Sequence, residues 1–117
     1  MLTLLHAQAI AAAAAAEAQS LGVSVAVTVV DHHCAVVLAL RLDGAKRSSL
    51  TMARSKAEAA AAAANPSDYL THPDWSMLLA GGLPIHLSGT LAGGVGVCGA
   101  PPDLNERVAR AGLAALA

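Results

Sequence analysis

The sequence is nearly devoid of aromatic residues: no Phe, one Tyr (Tyr69) and one Trp (Trp75) in 117 residues. With so little for bases to stack on and no run of Lys or Arg, a nucleic-acid partner is not expected. Charge is sparse as well, 13% of residues with a formal net of −1. The two cysteines, Cys34 and Cys98, are too few to define a disulfide framework. Both read as reduced thiols of a cytoplasmic protein. No stretch is long and greasy enough to span a bilayer, so no membrane association is expected. The alanine-rich opening, LLHAQAIAAAAAAEAQS, lacks a basic leader region and carries His6, Gln8 and Glu17. It reads as a helix of the mature domain.

Alanine dominates the apolar residues instead. Each alanine buries little area, and burial is worth only ~25 cal/mol per Å². Close approach of backbones must therefore replace bulky interdigitation, and association with further copies would extend the core. The length bounds one domain, residues 1–117, and a homo-oligomer is the expected state.

The elements follow from periodicity. Thr3 to Ser20 reads as a helix closed by Gly22. Val23, Val25, Val27 and Val29 alternate with smaller residues as in a strand with one buried face. Ala35–Leu42 is a second β-rich run, which places residues 31–34 at a hairpin turn. A second helix is expected over Arg47–Ala64, broken by Asn65-Pro66, followed by a connector that contains His72. LPIHL and LAGGVGVCG form a second hairpin about Ser88-Gly89. Gly93, Gly94 and Gly96 mark a strand that another backbone or a flat ligand approaches closely. Asp103 and Glu106 suggest a capping box, with Leu104, Val108, Ala111 and Ala115 on the inner face of a last helix. The order α-β-β-α-β-β-α describes an α+β fold with helices packed on an antiparallel sheet.

Six blocks in order resemble the GlcG/HbpS-type "heme-degrading domain" family, which includes the C-terminal half of PduO proteins: LGVSVAVTVVD, LRLDGA, ARSKA, GGLPI, SGTLAGGVGVCGA and NERVARAGLAAL. The resemblance spans nearly the whole chain. It implies a profilin-like antiparallel sheet flanked by helices, assembly into oligomers, and association with heme or corrinoid chemistry. A histidine of the first helix is implicated in heme ligation in PduO-like relatives, which makes His6 the corresponding candidate. The chain departs from the family pattern at His33 and Cys34, which replace a glycine-containing turn, at His86, where Arg is frequent, and at Cys98, where Ser is common.

Asp31-His32-His33-Cys34 concentrates metal-capable side chains. A closed zinc site needs about four ligands in tetrahedral array, and consecutive residues rarely supply more than two. No metal site is expected from this segment alone. On a strand, Asp31 and His33 share one face and His32 and Cys34 the other; a tight turn relaxes that alternation. The segment reads as a turn at a pocket rim, Asp31 accepting backbone N–H bonds. Arg54 and Glu58 read as a surface i,i+4 pair. Lys56 either snorkels outward or meets an anion. Arg41 and Asp43 close the second strand as an ion pair and helix cap, or recognise a carboxylate.

Two functions follow. The first is a small-molecule-binding homo-oligomer holding heme or a related tetrapyrrole. Gly94 would supply a flat wall, His6, His33 or His86 an axial nitrogen, and Lys56 or Arg41 a propionate contact. The alternative is an enzyme acting on a small carboxylate-bearing metabolite as isomerase, tautomerase or hydrolase. There His33, Asp31 and His86 would supply acid–base groups, and Arg41, Asp43, Lys56 and Cys98 would line the ligand pocket.

Overall fold

A computed structural model describes residues 1–62 and 80–117. Its elements are α1 (Leu4–Leu21), β1 (Ala26–Asp31), β2 (Val36–Arg41), α2 (Arg47–Ala62), β3 (Gly82–Leu87), β4 (Thr90–Cys98) and α3 (Pro102–Ala114). The expected connector, including His72 and the Asn65-Pro66 break, lies outside the described residues. The four strands form one antiparallel sheet in the order β2-β1-β4-β3.

Thr3 is the cap of α1 rather than its first residue. Its hydroxyl accepts the His6 N–H at 3.2 Å while its own N–H donates to His6 Nδ1 at 3.0 Å. Histidine thus fills the place that Glu or Gln takes in a capping box. Gly22 ends the helix in the left-handed region, φ 71°, donating its N–H to Ala18 and Gln19 carbonyls.

The sheet separates two helical layers. Val25, Val27, Val29, Ile85, Val95 and Val97 are buried in one core with α1 and α3, where Gly112 of α3 lies against Ile10 of α1. On the other face, Ala53 and Ala57 of α2 sit directly on β4. A side-chain carbon at Gly94 would fall on the Ala57 carbonyl oxygen, and one at Gly96 on the Ala53 carbonyl oxygen. Glycine on the strand and alanine on the helix bring the two backbones together, so a chain with few large side chains still closes its interior. Gly94 therefore lies beneath α2 and presents no open wall to a flat ligand, because the close approach at this strand is made by backbone.

The last helix differs from its sequence reading. It starts at Pro102 with no side-chain cap. Glu106 accepts the Gly81 N–H at 3.0 Å and pairs with Arg110 at 3.0 Å. Its buried face is Asn105, Val108, Ala109 and Gly112, which keeps Val108 of the expected Leu104–Val108–Ala111–Ala115 line but is turned toward Asn105 and Gly112. Asn105 explains the turn: its amide both accepts from Ala100 N–H (3.0 Å) and donates to Ala100 C=O (2.9 Å), which makes a buried polar residue tolerable.

Candidate functional site

The residues singled out for chemistry divide between opposite ends of the sheet. Asp31, His32, His33, Cys34 and His86 stand at the end carrying the two hairpin turns, and α1 starts there as well. Arg41, Asp43 and Cys98 stand where β2 and β4 finish. A six-residue strand separates the ends by about 17 Å. A single pocket holding His33, Asp31 and His86 together with Arg41 and Lys56 is therefore not assembled within one chain.

At the turn end, Asp31 Oδ1 accepts the N–H groups of His33 (2.9 Å) and Ala35 (3.1 Å). The Ala35 amide, and to a lesser degree the His33 amide and the neighbouring imidazoles, hold the Asp31 carboxyl below its usual value. Cys34 donates its N–H to the Asp31 carbonyl at 2.9 Å and takes φ 62°. The left-handed position of the turn thus falls on Cys34, at a conformational cost of about 1 kcal/mol. Its half-buried side chain offsets that cost by packing on Val30, Ala57 and Ala61 and pointing Sγ at the Glu58 carbonyl, 3.6 Å away.

The turn brings the His32 and His33 rings together, centroids 3.9 Å apart and tilted by 41°, both exposed. Beside them a groove of about 310 Å³ is lined by Met1, His32, Leu87, Thr90, Leu91 and Ala92. His32 was outside the sequence-derived set. Strand alternation puts it opposite His33, and the leucines that make its surroundings apolar come from the other hairpin, far along the chain. Among the described residues no three His, Cys, Asp or Glu side chains gather as a metal site.

At the opposite end Lys56 takes neither expected course. It is 6% exposed and donates to the carbonyl oxygens of Ala80 (2.9 Å) and Val97 (3.1 Å). Burial lowers its pKa, while the nearby Cys98 and Glu106 act in the opposite sense. Its ammonium ties α2 to the start of β3 and the end of β4. Arg41 does not pair with Asp43; its guanidinium donates to the Ala45 carbonyl at 3.4 Å. The Arg54–Glu58 pair forms as expected, at 2.7 Å on the surface. Arg41 and Asp43 border one groove of about 310 Å³ with Gln19 and Ser24. Next to it a cavity of about 430 Å³ is walled by Ser24, Lys46, Ser49, Cys98, Gly99 and Pro101. Cys34 and Cys98, at opposite ends of the sheet, are both free.

A last opening, about 390 Å³, lies between α2 and β2 and is lined by Thr28, Val36, Ala39, Leu50, Thr51 and Arg54. The Thr28 hydroxyl is buried there with no partner among the described residues. No helix among the described residues is long and apolar enough to cross a membrane.

The family described as "Haem degrading protein HbpS-like" matches residues 2–114. The chain belongs to this HbpS-like family. Among solved structures it is similar to a double mutant of HbpS from Streptomyces reticuli, with 37% identity, TM-score 0.80, and 99% of this chain and 87% of that one covered. It is also similar to PduOC in complex with heme, with 27% identity, TM-score 0.83, and 97% and 94% covered. The protein ORFY of Klebsiella pneumoniae is a third, with 27% identity, TM-score 0.81, and 97% and 89% covered. No curated protein matches the chain. The α+β fold in the order α-β-β-α-β-β-α is shared with these neighbours.

Proposed function

We propose that this chain binds heme at the groove between the two hairpin ends, with His32 as the axial nitrogen. The observation that carries the reading is the coincidence of an exposed imidazole and an apolar wall: His32 lines the same groove as Leu87, Leu91 and Ala92. Porphyrin sites require both an axial ligand and apolar surroundings. Kinship with the heme complex of PduOC supports the same ligand.

His6 is a weaker candidate on hydrogen-bonding grounds. Its Nδ1 accepts the Thr3 N–H, so in the neutral ring the proton sits on Nε2, the nitrogen that would face a metal. Ligation through Nε2 would require the other tautomer, with the proton on Nδ1, and so would give up the Thr3 N–H bond that caps α1. His32 makes no hydrogen bond to the described residues and has no such commitment. Of the remaining two, His33 and His86, neither lines the groove.

The groove is at the small end of ligand-site volumes, so one chain covers only part of a porphyrin. A second copy closing over the open side completes the proposal, as a homo-oligomer with heme held between subunits. A reducing, cytoplasmic setting suits the two free thiols. A hemin titration followed in the Soret region, on wild type and on the His6→Ala, His32→Ala, His33→Ala and His86→Ala proteins, tests the reading.

A further inference from the structure

α2 begins next to the sequence Lys46-Arg47-Ser48-Ser49. The first turn of a helix carries partial positive charge and favours acidic side chains. Here that turn has no acidic residue, and two cations stand at its start. Such an arrangement is unfavourable on its own and becomes favourable when an anion sits at the helix end.

Ser49 supplies a second, independent observation. It is only 7% exposed, yet it lines the 430 Å³ cavity. Its N–H is taken by the Lys46 carbonyl at 3.0 Å, while its hydroxyl has no hydrogen-bond partner among the described residues. That oxygen is absent from the fully enclosed unpaired atoms, which among the described residues are limited to Thr28 Oγ1. The hydroxyl is therefore open to the cavity that Ser49 lines. Lys46 stands on the same wall, and the Lys56 ammonium, bound to the Val97 carbonyl, lies close behind Cys98.

We propose that this cavity binds a small organic acid, whose carboxylate accepts the Ser49 hydroxyl proton in a hydrogen bond and is neutralised by Lys46 at the start of α2. Val23, Ala45, Ala100 and Pro101 form the rest of the wall, an apolar surface for a short carbon chain that inorganic phosphate could not use. The site is at the end of the sheet opposite the heme groove, so neither proposal depends on the other.

The test is a titration followed by backbone amide NMR on the full chain, with butyrate and inorganic phosphate as separate probes and sodium chloride at equal ionic strength as control. Saturable butyrate shifts at Ser49, Gly99 and Ala100 are expected. Ser49→Ala and Lys46→Glu should each weaken them about tenfold, the effect of losing a hydrogen bond or charge partner to an ionised group. The spectrum reports the fold of each variant directly, and Lys46 is exposed, so that substitution leaves the core intact. Shifts no larger than those in chloride, or equal affinity in both variants, would overturn the site. Tighter binding of phosphate than of butyrate would overturn the organic-acid assignment.

Discussion

The ammonium nitrogen of Lys56 lies 3.1 Å from the carbonyl oxygen of Val97, a residue 41 positions further along the chain. A second carbonyl, that of Ala80, is 2.9 Å away. The lysine thus bridges α2 and the ends of two strands from inside the protein. Lys56→Met should remove both hydrogen bonds and lower stability at neutral pH by about 2 kcal/mol, read from urea unfolding.

The same residue predicts a pH dependence. Burial places the folded pKa of Lys56 below its unfolded value of 10.5. Between the two, the unfolded chain holds more protons, so stability due to this group rises as pH increases through that window. Urea midpoints of wild type and Lys56→Met measured from about pH 7 to about pH 10.4 should diverge, wild type gaining on the variant. Parallel curves would contradict the assignment.

Asp31 gives a slope of the same sign at the acid end of the pH scale. Its carboxylate is held below the usual value of 3.8 by the Ala35 and His33 amides. It stabilises the turn above that value, and the contribution is lost as pH falls through the folded pKa. Asp31→Asn should abolish this acid-side loss, seen as a flatter dependence of the unfolding midpoint below about pH 5.

Gly96 and Gly89 separate two reasons for glycine. Gly96→Ala would drive a methyl group into the Ala53 carbonyl and the Ala57 nitrogen, both α2 backbone that cannot swing aside, and should cost about 3 kcal/mol or more. Gly89 has open space around it but φ 78°, so Gly89→Ala should cost only about 1 kcal/mol. Thermal unfolding of the two variants distinguishes them.

Thr28 carries a buried hydroxyl with no partner among the described residues. Thr28→Val keeps the shape, removes the orphaned group and should raise stability by about 1 kcal/mol. A loss instead would show that the hydroxyl is satisfied in solution.

The order of elements was legible because valine alternation, the Gly22 stop and the Ser88-Gly89 turn are local signals. The glycines of β4 also announced a close approach, made by the backbone of α2 at Gly94 and Gly96 and by that of β1 at Gly93. On the inner face of α3 Val108 was legible, but Asn105 and Gly112 were not, because apolar periodicity passes over a buried amide and a glycine. Asn105 is buried through a reciprocal bond to Ala100, and Gly112 through its contact with Ile10. Lys56 could not be placed from sequence, since its acceptors lie 24 and 41 residues away. His32 was hidden for the same reason: its groove is completed by Leu87 and Leu91 of the other hairpin.

Heme binding at the turn end depends on His32, and the hemin titration in the Soret region addresses that residue directly. Wild type should bind saturably, at about one heme per subunit or subunit pair, with His32→Ala losing that signal and His6→Ala, His33→Ala and His86→Ala retaining it. Undiminished binding by His32→Ala, or a wild-type titration with no saturable component, would contradict the proposed site.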